Sequence, residues 1–192
     1  NIHRRDIEQV NLMLGVEAYG RDNPKRFAAK LLALILGGGM SSRLFLQIRE
    51  KRGLAYHISA YSQNYIDTGS FFVYAGLRTA STEEAVKVIK EELEDLVKNP
   101  VKPEELRKAK EMERGRIALR SESSNFLAEY FAARQLLDKK LETFDQYLAK
   151  IDAVTAEDIR QIAQELFQNN RYNLQIIGPL KDPAPFEQIL NK

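Results

Sequence analysis

Arg49 and Tyr56 stand on either side of Gly53, and together they offer a rigid cationic fork and a phenol. The guanidinium offers paired N–H donors and the phenol one O–H donor, and the glycine turn between them lets both face the same space. By residue type alone the pair is a candidate contact site, because Arg and Tyr are both common at interfaces. Taken singly they read as a surface residue at a helix end and a half-buried strand residue.

Other chemistries lack their parts. A catalytic zinc site needs histidines, or histidine with carboxylates, at ligand spacing. The chain holds two histidines, His3 and His57, with no His-x-x-Glu-His in either direction. Strand alternation sets the His57 and Tyr56 side chains on opposite faces and leaves His57 a solvated or hydrogen-bonded residue. No cysteine is present, so disulfides and thiolate metal sites are excluded. Ser41 and Ser42 lack the Gly-x-Ser-x-Gly frame of a nucleophile and read better as helix caps. The triplet Gly37-Gly38-Gly39 is not followed by the Gly-Lys-Ser/Thr of a phosphate loop. The Glu/Lys/Arg run over 102–120 alternates in sign, as a solvated helix face does. With 29 basic against 27 acidic residues the net charge is +2, too little field to hold nucleic acid or an anionic membrane. The longest apolar stretch, Leu31 to Leu36, is far short of a membrane span. At 192 residues and 44% apolar the chain has the make-up of an ordinary soluble protein able to bury a core without disulfides, in a compartment left open.

The elements that must position Arg49 and Tyr56 follow from periodicity. The polar opening, Asn1 to Asp6, reads as a linker or a cut in a longer protein. Val10, Leu12, Leu14 and Val16 alternate as in a half-buried strand. Pro24 opens a helix in which Phe27, Leu31, Leu34 and Ile35 share one face up to the glycine triplet, where positive φ reverses the chain. A second helix over 43–52, capped by Ser41 or Ser42, ends at Gly53. Strands over 54–64 and 70–77 form an antiparallel hairpin about Asp67-Thr68-Gly69. Ser81 and Glu84 make a capping box for a helix over 82–98. Pro103 opens a long helical region to about Asp138, interrupted near Ser121-Glu122-Ser123-Ser124. Thr143 caps a helix through Lys150, and Thr155 with Asp158 caps another over 156–167. A strand over 172–177 and an amphipathic turn holding Phe186, Ile189 and Leu190 complete the order. Hairpins and separated helices predict an α+β lobe over 1–192: a mainly antiparallel sheet with helices packed on it.

Two strings are more specific than this physics. Gly37-Gly38-Gly39-Met40-Ser41-Ser42-Arg43-Leu44-Phe45 and Ile48-Arg49-Glu50-Lys51-Arg52-Gly53-Leu54-Ala55-Tyr56 resemble the C-terminal lobe of bacterial processing-protease-like zinc peptidases. These belong to the pitrilysin/insulinase family, alongside the mitochondrial processing peptidase. The similarity continues through Tyr65-Ile66-Asp67-Thr68-Gly69, the Ser81 to Pro103 segment, Ile151 to Asp158 and Gly178-Pro179-Leu180, and so covers nearly the whole chain in order.

The resemblance implies related α+β lobes facing one another like a clam. One lobe holds zinc through His-x-x-Glu-His and a distant glutamate. The facing lobe supplies an Arg and a Tyr that hold the substrate backbone near the scissile bond, and Arg49 and Tyr56 match that pair. Arg49 would then bond a substrate carbonyl and Tyr56 the oxyanion. Because the zinc motif is missing, the resemblance implies a non-catalytic, substrate-binding half of a zinc metalloendopeptidase. It would be inactive alone and free of metal, with zinc on an N-terminal lobe or a partner subunit and a peptide as substrate. The alternative is an inactive structural or assembly module of the same family.

Overall fold

The computed structural model describes residues 1–138, 141–168 and 171–191. Its elements in order are β1 (Ile2–Arg4), β2 (Gln9–Ala18), α1 (Arg26–Gly37), β3 (Ala55–Asn64), β4 (Gly69–Arg78), α2 (Thr82–Lys98), α3 (Pro103–Ser121), α4 (Ser124–Ala133), α5 (Phe144–Ala153), α6 (Ala156–Phe167), β5 (Asn173–Gly178) and α7 (Ala184–Leu190). Phe45–Glu50 and Arg134–Asp138 are π-helical. The sheet runs β1-β5-β2-β4-β3, antiparallel except for the parallel pair β1 and β5. The α+β architecture with a mainly antiparallel sheet is the one the periodicities predict.

Alternation builds one apolar face. Val10, Leu12, Leu14 and Val16 of β2, with Phe71, Val73, Ala75 and Leu77 of β4, point inward and are buried. Helix α1 is apolar almost all round and correspondingly buried from Phe27 to Gly37. It covers β3, while α2 and α6 cover β4 and β2. Fully buried leucines such as Leu12, Leu31 and Leu36 each contribute about 1.5–3 kcal/mol relative to exposure. The opposite sheet face stays open, and Met13, Tyr61 and Ile177 are exposed on it.

Several local expectations are corrected. The polar opening is a strand: the Asn1 amino group donates to Leu174 O at 2.7 Å, and Ile2, His3 and Arg4 pair with Ile176, Ile177 and Gly178. Three residues are too few for alternation to show, and the partner lies at the far end of the chain. Of the glycines only Gly53 has positive φ, so the triplet does not reverse the chain through the left-handed region. Gly37 serves close approach instead, since a Cβ there would lie 2.3 Å from the Ala60 nitrogen of β3. Ser42 donates to Gly39 O at 2.6 Å rather than capping a helix, and no side chain caps the π-helical segment. Ser81 makes no cap bond either, because Thr79–Ser81 winds into a 3₁₀ turn and Thr82 donates back to the Arg78 and Thr79 carbonyls. The capping boxes of Thr143 with Gln146 and Thr155 with Asp158 are formed, and the long helix breaks between α3 and α4.

Candidate functional site

The segment bearing Arg49 is fixed from below. Leu44 and Ile48 are fully buried, and Lys51 N bonds Leu46 O, the wider loop of a π-helix. Arg43 clamps the segment's start. It pairs with both Glu105 oxygens at 2.7 and 2.9 Å and with Asp95 at 2.6 Å, joining it to α2 and α3. Burial opposes the charge on Glu105, but the Arg43 guanidinium and the Lys102 backbone N–H outweigh it and hold the carboxyl below its usual range. Arg43 itself pays a desolvation cost that its two carboxylates overcome, so its proton is held more tightly than usual.

After Glu50 the chain turns through Gly53 at φ +59°, where Gly53 N bonds Arg49 O and Leu54 N bonds Ile48 O. A side chain is disfavoured at that φ, which is why the sequence has glycine here. The strand that follows carries a bulge: Ala55 pairs with Leu77 and His57 with the adjacent Gly76, leaving Tyr56 without a partner. Ala55 and Ile58 are therefore both buried, and Tyr56 and His57 between them are both exposed. The expectation that Tyr56 and His57 face opposite sides is overturned, because one extra residue cancels one step of the alternation. The signal was present as inward-facing Ala55 and Ile58 at a spacing alternation does not allow, but it reads as a bulge only once the register with β4 is known.

Tyr56 is 60% exposed and Arg49 is exposed, the two bracketing one turn without a hydrogen bond between them. Three arginines surround this turn. Arg52 donates to Gln47 O and Oε1 and Arg78 to Gly53 O, so both are engaged with the chain around the turn. Arg49 lies over the Phe45 ring, 5.0 Å from its centroid, and among the described residues its guanidinium has no hydrogen bond or ion pair. The Tyr56 hydroxyl is likewise without a partner among them. Arg78, which stiffens the turn from β4, was not singled out by sequence reasoning, since its contact joins distant segments. Beside the site, His57 pairs with Ser59 at 3.1 Å and tilts against the Tyr74 ring.

Zinc does not fit this set of side chains. His3 is on β1 and His57 on β3, opposite edges of the sheet and about 19 Å apart at strand spacing. Among the described residues no three His, Cys, Asp or Glu side chains gather as metal ligands. No described helix is long and apolar enough to cross a membrane. A cavity of about 650 Å³ lies elsewhere, between the N-terminus of α1 and helices α5 and α6. Its charged walls are paired internally, Arg21 with Asp138 and Lys150 with Glu142.

Residues 1–113, which include Arg49 and Tyr56, match the family model described as the peptidase M16 inactive domain. An uncharacterised zinc protease of Streptomyces coelicolor is 35% identical over 93% of this chain and 39% of its own length. A peptidase M16 inactive domain from Pseudomonas fluorescens superposes with a TM-score of 0.83 at 24% identity, over 94% of this chain and 43% of that one. A chain of Complex III2 from Candida albicans shares the fold at a TM-score of 0.89 and 19% identity, over 100% of this chain and 48% of that one. The chain thus spans about two fifths of the length of such relatives. With the site lying inside the matched residues and the insulinase-type strings in place, the chain belongs to the peptidase M16 family, in its inactive-domain branch.

Proposed function

We propose that residues 1–192 form one lobe of a two-lobed zinc metalloendopeptidase, a lobe that holds the peptide substrate and leaves activation of water to a zinc-carrying companion. The observation carrying this reading is that Arg49, unlike Arg52 and Arg78 about the Gly53 turn, makes no hydrogen bond or ion pair among the described residues, and lies across that turn from an exposed Tyr56 hydroxyl that has no partner among them. Arg49 bonds a carbonyl of the extended substrate, where its planar fork gives direction as well as charge. Tyr56 donates to the oxygen of the scissile carbonyl as that oxygen becomes negative. The bulge leaves the phenol exposed, one glycine turn away from Arg49.

Steady-state kinetics on the full-length enzyme test this. Tyr56→Phe lowers kcat more than it raises KM, because its bond strengthens in the transition state. The loss is at most about 2.7–4 kcal/mol, the range for one oxyanion donor. Arg49→Ala also raises KM, since a carbonyl contact exists in the ground state. Unchanged kcat/KM in both variants, with melts intact, would leave the second reading, a structural module, as the better one. That reading has in its favour the fold match, over 100% of this chain and 48% of that one, to a chain of Complex III2.

A further inference from the structure

Helix α4 has the composition of a core helix and the position of a surface one. Its ten residues, Ser-Asn-Phe-Leu-Ala-Glu-Tyr-Phe-Ala-Ala, carry a single charge, yet only Tyr130 is buried. It packs mainly on α3 and on the π-helical segment after it. Along this arm Leu119 is 73% exposed, Leu136 76% and Leu141 60%, and Phe131 and Leu137 are exposed beside them. Exposed apolar side chains gathered in one segment of the chain point to an interaction site.

The arm is held in a defined pose. Arg21 donates to both oxygens of Asp138 at 2.7 and 2.9 Å, fastening the arm to the loop before α1. Glu142 accepts from Arg134 and Lys150. Tyr130 packs edge-on against Phe131 and tilted against Phe144, with the Arg134 guanidinium 3.3 Å over its ring. Among the described residues, the Tyr130 hydroxyl and Arg134 Nε of this cluster are buried with no hydrogen-bond partner.

Something large is available to cover it. More than half of each matched relative and solved chain lies outside the stretch shared with this one. The open sheet face competes poorly for that partner, because its polar groups already pair: Tyr74 donates to Asn11, and His57 pairs with Ser59. We propose that the α4 arm is the seat of the companion lobe, which buries Phe131, Leu136 and Leu137. This rests on the two-lobed reading above.

The test uses the full-length protein with a protease site placed between the lobes. After cleavage the wild-type halves co-elute on size exclusion, whereas Leu136→Asp with Leu137→Asp weakens their association on the order of 100-fold, the effect of unburying two leucines. The same pair of substitutions leaves the melt of the 192-residue chain unchanged, because both residues are exposed there. Halves that co-elute despite the substitutions overturn the proposal, as do wild-type halves that separate. A 192-residue chain that dimerises, and stops doing so on substitution, assigns the ridge to a second copy and overturns it too. Arg49→Ala halves co-elute whatever their kinetics, so failure of the substrate-holding role is read separately.

Discussion

Added methyl groups discriminate sharply among the glycines of this chain. At Gly53 the backbone sits at φ +59° in open surroundings, so alanine costs about 1–2 kcal/mol through conformation alone. At Gly37 the conformation is ordinary, but a Cβ meets the β3 backbone at 2.3 and 2.8 Å, and neither wall can rotate away. Gly37→Ala is expected to cost about 1–3 kcal/mol or more, as overpacking does. At Gly115, within α3, nothing lies within 4 Å, and alanine should stabilise by about 0.5–1 kcal/mol. Urea midpoints of the three variants check the order. Gly53→Ala also moves Tyr56 relative to Arg49, so its kcat should fall further than its stability does. Gly53 could be read from sequence because a helix stop is local. The role of Gly37 could not, since the obstruction belongs to a strand that follows two turns later.

Among the elements, the π-helical segment depends on one side chain for its attachment to the helical layer. Arg43 joins it to Asp95 of α2 and Glu105 of α3. Arg43→Met should loosen Arg49 and Tyr56 together, and hydrogen exchange over 44–56 would rise while α6 stays protected. Acid acts on the same joint. Glu105 titrates below its ordinary 4.5 once Arg43 outweighs burial, and Asp138 below its ordinary 3.8 chiefly through its bonds to Arg21. A carboxyl with a depressed folded pKa stabilises fully above its unfolded value and ceases to do so as pH falls through the folded one. The contribution of these two carboxyls should therefore be constant above about pH 5 and decline as pH falls below the ordinary carboxylate range. Arg43→Met should be less stable at neutral pH and lose less on acidification. Caps behaved unevenly as signals. Thr155 and Asp158 satisfy each other within one turn, and Thr155→Ala should cost about 1 kcal/mol. Ser81 with Glu84 presents the same spacing, but the preceding 3₁₀ turn at Thr79–Ser81 takes Ser81 out of cap geometry. A capping box is thus readable only where the residues before it are extended.

At the scale of the molecule, periodicity sufficed for the hairpin, the helices and the class of sheet, because each depends on neighbours in sequence. It could not show which strands lie side by side, and three consequences of that order were hidden: the Tyr56 bulge, the wide separation of His3 and His57, and the strand at Ile2–Arg4. The last has a bearing on the order of events during synthesis. Within residues 1–192, β1 is made before the other elements, but its partner β5 begins at Asn173, so β1 remains unpaired while nearly all of this lobe is translated. At about 5–20 residues per second that interval is roughly 10–35 s. Hairpin β3–β4 and its helices can form in the meantime, since their contacts close short loops. β1 then docks on a sheet already built, late in the sequence of events. Ile2→Ala should accordingly leave the refolding rate nearly unchanged and carry its whole effect in faster unfolding, which stopped-flow chevrons would resolve.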